Sequence, residues 1–276
     1  MGFDILKKVT KKIIGEKNIT LLIEKYALFQ DIKKNRKINS DFLKNNKSFT
    51  CPPMSLAFDA YGSTNLKLYH DMGFDFAELI AKILNTHLQD QNKIKIFEWG
   101  CGPGRIIRHL PDIKTAFQLE VFGSDYNQET INWCRKNINN VSFHINQPSP
   151  PISFDSNFFN TIYVFSVFTH LSTSMQLAWS RELLRILKPG GILIITTHGD
   201  NFVHHLTESE KIIYTSGKSV VREKVKEGTR DFSAWHPPEF VRKKLLEGFS
   251  VLEHMPNPNL VHLKQDVWVV QKRENL

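Results

Sequence analysis

Apolar and polar residues recur along this chain with two periods, one typical of strands and one typical of helices. Short apolar runs rich in β-branched residues predict buried strands. These runs lie at 93–97, 119–123, 141–145, 161–165, 192–197, 249–254 and 267–271. Apolar residues at helical spacing predict helices at 69–84, 128–137, 175–187 and 239–246. Because strands alternate with helices, the pattern predicts an α/β fold.

The first fifty residues have a different pattern. Residues 3–14 mix apolar side chains with lysines at helical spacing, which predicts a basic amphipathic helix, and a second helix is predicted at 19–32. Residues 33–47 are polar and rich in Asn and charge, which favours a linker. We therefore divide the chain into a basic helical extension with a linker, residues 1–50, and a main domain, residues 51–276.

The net charge of +8 is concentrated in that extension, where twelve Lys and Arg residues stand against five Asp and Glu residues, a net of +7. A basic amphipathic segment is typical of contact with an anionic membrane surface or with RNA. The alternative, which we favour, is that both helices pack their apolar stripes on the main domain and leave the lysines in solvent. No apolar run is long enough to span a bilayer, so we expect a cytoplasmic protein or one peripheral at the membrane.

The most informative segment joins the first predicted strand to the apolar residues that follow it. Glu98 precedes three glycines at alternate positions, Gly100, Gly102 and Gly104. Glycines let a loop turn tightly and let a ligand approach the backbone. A dinucleotide-binding loop of the form G-x-G-x-x-G would need a glycine where this chain has Arg105, and its acidic residue would lie downstream.

The pattern E-x-G-x-G-x-G instead resembles the first motif of the class I S-adenosylmethionine-dependent methyltransferases. Lys-Pro-Gly-Gly at 188–191 is similar to a second signature of that family, a turn in which Lys188 would cover the carbonyls at a helix end. Val-Phe-Thr-His-Leu at 167–171 and Thr-Thr-His-Gly at 196–199 look most like the bacterial small-molecule and glycan-pathway members. The resemblance implies a Rossmann-like three-layer sandwich, whose seven-stranded, mostly parallel sheet has an antiparallel edge strand.

The resemblance also implies S-adenosyl-L-methionine as cofactor, with S-adenosyl-L-homocysteine as product. No metal is expected, because the three widely spaced cysteines form no Cys/His metal pattern. Asp125 lies about 20 residues after the loop, the distance at which a βαβ unit returns an acid to a ribose. Its other possible role is to cap the next helix. The remaining roles follow from the family: Glu98 at the methionine ammonium, the three glycines against the cofactor, Tyr126 over the adenine, Asn146 at the adenine edge, and Ser166 in the cofactor-binding segment after the fourth strand.

Methyl transfer to a protonated nucleophile requires a base, and His198 and His170 each follow the end of a predicted strand. A structural role is the alternative for each, and His236 is a weaker third candidate. We expect the acceptor to be a small molecule or a glycan intermediate methylated at a hydroxyl, with residues 200–230 as a lid over it. The alternative is an RNA-directed methyltransferase or RNA-associated module that uses residues 1–50.

DNA is not expected as a partner. The segment 146–151 is only loosely similar to the Asn-Pro-Pro-aromatic motif of amino-group DNA methyltransferases, lacks the aromatic residue and follows the wrong strand. The sequence leaves the identity of the acceptor and the oligomeric state open.

Overall fold

A computed structural model describes residues 16–88, 91–222, 225, 227–229, 231–256, 258 and 263–274. The helix predicted at 3–14 lies outside the described residues. The chain forms two compact units that divide between His70 and Asp71, later than the boundary drawn from the sequence.

The first unit contains helices α1 (Glu16–Asn45) and α2 (Met54–Tyr61) and the beginning of α3 (Leu66–His87). The predicted linker at 33–47 is wrong, because α1 continues as one helix to Asn45. Its asparagines are structural: the Asn39 side chain donates to the Thr64 carbonyl (2.8 Å) and accepts from the Leu66 amide (2.9 Å). The polar composition that favoured a linker therefore supplies buried hydrogen bonds within this unit.

The second unit contains a seven-stranded sheet of order β3-β2-β1-β4-β5-β9-β8. Five strands are parallel neighbours, and β9 runs antiparallel to both β5 and β8 at one edge. The predicted α/β fold is confirmed. The strands are β1 (Lys93–Trp99), β2 (Gln118–Asp125), β3 (Val141–Ile145), β4 (Phe159–Val164), β5 (Leu187–Thr197), β8 (Phe249–Met255) and β9 (Asp266–Lys272).

The sheet has an apolar core on each face. Along β1, Ile94 and Ile96 belong to one core, whereas Phe97 and Trp99 belong to the other. Successive side chains of a strand point to opposite faces of the sheet. A strand that is buried on both faces therefore needs apolar residues at successive positions. The helices of this unit are the rest of α3, α4 (Gln128–Asn137), α5 (Thr173–Ile186), α6 (Glu208–Thr215) and a short α7 (Pro238–Phe240) that continues as a π-helical turn, Val241–Leu245.

Ile106, Ile107 and Leu110 stand at helical spacing in the sequence, but the segment after the glycine loop is a 3₁₀ helix, Ile107–Asp112, rather than an α-helix. Pro111 explains the difference: it has no N–H to donate, and in an α-helix its ring would clash with the carbonyl of Ile107. The helix-end role expected of Lys188 is also wrong. Lys188 Nζ donates to Asn160 Oδ1 (3.1 Å), whereas Lys272 from β9 donates to the carbonyls of Leu184 and Leu187 (2.8 Å each).

The predicted lid begins with a 3₁₀ helix, Asp200–His205, followed by α6 and by β6 (Val220–Arg222). Strand β6 pairs with β7 (Ser233–Trp235) in a second, two-stranded antiparallel sheet. A small apolar cluster of Leu206, Tyr214, Val220 and Trp235 holds this region together. None of the described helices is long and apolar enough to cross a membrane.

Candidate functional site

The glycine loop has the conformation that its residue types predict. Gly100, Gly102 and Gly104 have φ values of +77°, +51° and +77°, in the left-handed region that other residues rarely adopt. A Cβ on Gly100 would lie 2.4 Å from Val167 Cγ2, and one on Gly104 would lie 2.3 Å from Ile138 Cδ1. Both glycines are therefore also required by the packing of the protein itself.

Asp125 fixes this loop to the end of β2. Its Oδ2 accepts a hydrogen bond from the Gly102 amide (3.0 Å), and its Oδ1 accepts from the Asn127 amide (2.9 Å). The cap of α4 is Asn127, whose side chain accepts from the Thr130 amide (3.1 Å), so the alternative role of Asp125 as that cap is excluded. Each carboxylate oxygen can accept more than one hydrogen bond, which leaves Asp125 able to bind a ligand hydroxyl as well.

Glu98 lies buried beneath the loop at the end of β1. The Tyr163 hydroxyl donates to its Oε2 (2.7 Å). Burial raises the pKa of Glu98 to about 8, although the Tyr163 hydrogen bond and the Arg105 charge act in the opposite direction. In the absence of a bound ligand, the side chain is therefore mostly protonated at neutral pH.

Asn146 lies next to Asp125, since its amide donates to the Asp125 carbonyl (3.2 Å). Its side-chain Nδ2 donates to the Gln147 carbonyl (2.7 Å), while its buried Oδ1 has no hydrogen-bond partner among the residues the structure describes. A buried acceptor of this kind is costly unless a ligand or water satisfies it. Tyr126 lies beside Asp125 in the chain and is partly exposed, with its hydroxyl 3.4 Å from the Gly228 carbonyl.

Ser166 follows β4 and has a left-handed backbone conformation, with φ of +61°. Its amide donates to Thr196 Oγ1 (2.8 Å), and its hydroxyl donates to Gln265 Oε1 (3.0 Å). These bonds connect Ser166 to the ends of β5 and β9, whereas Asp125 and Asn146 are bonded around the glycine loop. The cofactor contact of Ser166 stays a prediction.

His198 and His170 both lie where β4 and β5 end, and each is held by a backbone carbonyl. The Nδ1 of His198 lies 3.1 Å from the Ala234 oxygen, and that of His170 lies 2.7 Å from the Phe232 oxygen. Since a carbonyl only accepts, Nδ1 is the protonated nitrogen in each pair, and the lone pair of a neutral ring is on Nε2. Burial lowers the pKa of His198 to about 4, which keeps its ring neutral at physiological pH.

His236 is more deeply buried than either of these histidines. Its amide donates to the His198 carbonyl (2.8 Å), and neither ring nitrogen has a hydrogen-bond partner within the described part of the chain. Burial lowers its pKa to about 3. The adjacent Trp235 also has a buried indole nitrogen with no described partner. Two neighbouring residues therefore offer unsatisfied polar atoms beside His198.

Comparison with known proteins agrees with this geometry. Residues 97–195, which run from within β1 to within β5 and contain the glycine loop and Asp125, match a family model described as a methyltransferase domain. These residues belong to a class I S-adenosylmethionine-dependent methyltransferase domain. The chain therefore contains a methyltransferase domain, as the resemblance implied.

Solved structures show the same fold as this methyltransferase. An S-adenosylmethionine-dependent methyltransferase from Methanosarcina mazei matches with a TM-score of 0.50 and 22% identity, over 69% of this chain and 97% of that one. A protein from Pyrococcus horikoshii matches with a TM-score of 0.52 and 16% identity, over 79% and 95% of the two chains. A candidate methyltransferase from Listeria monocytogenes matches with a TM-score of 0.52 and 14% identity, over 73% and 100%.

The methyltransferase domain also has two acidic residues near His198 that the sequence did not reveal, the buried Asp266 and the exposed Asp200. The Asp266 carboxylate lies against Gly199, directly after His198, and accepts a hydrogen bond from His254 Nε2 (2.8 Å). Burial raises the pKa of Asp266, and the charge of Asp200 contributes to the increase. The Tyr214 hydroxyl donates to Asp200 Oδ1 (2.8 Å). No local motif marks these residues, because β8 and β9 bring His254 and Asp266 to the end of β5 from the far end of the chain.

Proposed function

We propose that this methyltransferase transfers a methyl group from S-adenosylmethionine to a hydroxyl group of a small molecule or glycan intermediate, with His198 as the general base. The observation that carries this proposal is the geometry of the His198 ring at the end of β5. Its Nδ1 is held by the Ala234 carbonyl, and its Nε2 keeps the lone pair that a base requires.

The residues around the glycine loop fit the three polar parts of the cofactor. The unsatisfied Oδ1 of Asn146 suits the amino group of adenine, and the Asp125 carboxylate suits the ribose hydroxyls. Glu98 beneath the loop suits the ammonium of the methionine part. Tyr126, beside Asp125, is proposed to cover the adenine. When bound, S-adenosylmethionine supplies a methyl group already activated by a sulfonium, so the protein has mainly to align the acceptor and accept its proton.

The raised pKa of Glu98 predicts that cofactor binding releases a proton. A nearby ammonium favours the carboxylate, so binding near pH 7 ionises a side chain that is mostly neutral in the free protein. The affinity should therefore increase as the pH rises from the ordinary pKa of Glu98 toward about 8, and then level off. Calorimetry in buffers of different ionisation enthalpy measures the proton directly, and a release approaching one proton is expected near pH 7.

The matched control for this experiment is Glu98→Gln, which keeps the shape of the neutral side chain and an acceptor for Tyr163. Titration of this variant measures any change in the protonation of the cofactor's own amino group, which is then subtracted from the wild-type value. Equal proton release by the wild type and by Glu98→Gln would show that Glu98 does not ionise on binding.

The acceptor side is proposed to lie around His198, His236 and Trp235. The unsatisfied nitrogens of His236 and Trp235 can bond polar atoms of an acceptor, and the segment 200–230 is proposed as the lid over it. A neutral histidine base suits a hydroxyl, which must lose its proton as the methyl group is transferred.

The proposed reaction can be tested with methyl-labelled S-adenosylmethionine and a panel of phenols, hydroxy acids, monosaccharides and amines of similar size. Label should enter the hydroxylated compounds as ethers that survive alkaline hydrolysis. Label found only in amines, or only in base-labile methyl esters, would contradict the proposal while leaving the methyltransferase activity established.

A further inference from the structure

Among the side chains that the structure describes, helix α1 packs one face within the first unit. Asp31 Oδ2 accepts a hydrogen bond from the Thr64 hydroxyl (2.7 Å), and the Asn39 side chain bonds the Thr64 carbonyl (2.8 Å). Phe42, on the same side of the helix, is buried. These contacts fix which face of the helix packs within the first unit. The opposite face takes no part in them.

That opposite face is apolar over two turns. Leu22, Tyr26 and Phe29 follow one another at the i, i+4, i+7 spacing that aligns side chains on one side of a helix, and they are 56%, 66% and 61% exposed. Large apolar side chains that lie next to one another on one face of a helix and are exposed are typical of an interaction surface.

The same face becomes basic in the following turns. Lys33 and Lys37 continue the spacing of the apolar residues, and both are exposed, as is the adjacent Arg36. Glu24 and Asp31 lie on the opposite side of the helix. An exposed strip therefore carries apolar side chains at one end and positive charge at the other, with these two acidic residues directed away from it.

We propose that the α1 face, defined as Leu22, Tyr26, Phe29, Lys33 and Lys37, binds an anionic membrane surface. Apolar side chains enter the boundary between headgroups and acyl chains, while lysines attract anionic headgroups and extend their amines to the water. RNA fits this face less well, because RNA-binding surfaces use charge and aromatic stacking, and the aliphatic Leu22 would gain little there. The charge pattern distinguishes a lipid surface from a second, equally basic copy of the chain.

Vesicle sedimentation of the full-length protein tests this surface. The protein should be retained by vesicles of phosphatidylcholine mixed with phosphatidylglycerol, and not by phosphatidylcholine alone. Tyr26→Ser with Phe29→Ser should lower the partition coefficient roughly tenfold or more, because it removes the apolar contact. Lys33→Gln with Lys37→Gln should lower it by a similar factor and reduce its dependence on salt.

The matched control is Ile212→Ser, which removes an apolar side chain that is 71% exposed on α6, outside the α1 face. Circular dichroism and the binding of S-adenosylhomocysteine verify that each variant is folded. Equal retention of the wild type and the Tyr26, Phe29 double variant would overturn the proposal. Binding of a single-stranded RNA probe without binding of anionic vesicles would also overturn the proposal. It would be overturned as well if the wild type were a dimer, the double variant a monomer, and vesicles retained neither protein.

Discussion

Asp125→Ala should raise the dissociation constant of S-adenosylhomocysteine by roughly 100-fold or more. The substitution removes the proposed acceptor for the ribose hydroxyls. It also leaves the amides of Gly102 and Asn127 without the carboxylate that now accepts from both. Hydrogen bonds to a charged group are worth about 1.5–3 kcal/mol each, so the loss of two of them from the ligand accounts for this magnitude.

Calorimetry with the wild type, Asp125→Ala and Asp155→Ala measures this effect. Asp155 is an exposed carboxylate outside the proposed cofactor site, and its variant should bind as the wild type does. The dissociation constant of Asp125→Asn should lie between those of the wild type and Asp125→Ala, because an amide offers one accepting oxygen where the carboxylate offers two. An unchanged dissociation constant for folded Asp125→Ala would remove Asp125 from the proposed cofactor site.

His198→Ala should lower kcat by roughly 100-fold to 10,000-fold, the range associated with the loss of a general base. The pH profile of the wild type gives a second readout. Because burial lowers the pKa of His198 to about 4, the base remains neutral above that value and activity is lost only as the pH falls through it. A histidine with an ordinary pKa would instead lose half its activity near pH 6.5.

The control for this prediction is His87→Ala, since His87 ends α3 and lies outside the segments that are proposed to contact the acceptor. Added imidazole should restore part of the activity of His198→Ala by supplying the missing base, whereas it would not repair a purely structural defect. A kcat that is unchanged in His198→Ala, at every pH tested, would exclude His198 as the base.

The strands and the glycine loop could be predicted from the sequence because both depend on neighbouring residues. Period-two and continuous apolar runs mark buried strands, and three alternate glycines need only a local loop conformation. The length of α1 could not be predicted, because its last turns depend on tertiary hydrogen bonds. Asn39 bonds to Thr64 and Leu66, and the composition of residues 33–47 alone gives no sign of these partners.

The candidate site likewise contains residues that could be predicted from the sequence and residues that could not. Glu98 and Asp125 could be found because one βαβ unit fixes their spacing to the loop. Tyr163, which bonds Glu98, comes from the neighbouring strand β4, and Asp266 reaches the end of β5 only because the last strand runs antiparallel to it. Contacts between residues so distant in sequence leave no local pattern.

The most direct test of this account is calorimetric titration of the unmodified protein with S-adenosylhomocysteine, beside a titration with NADH. We expect saturable one-to-one binding of S-adenosylhomocysteine and no heat from the dinucleotide. A folded protein that binds no S-adenosylhomocysteine, or that binds NADH in its place, would contradict the assignment of the glycine loop.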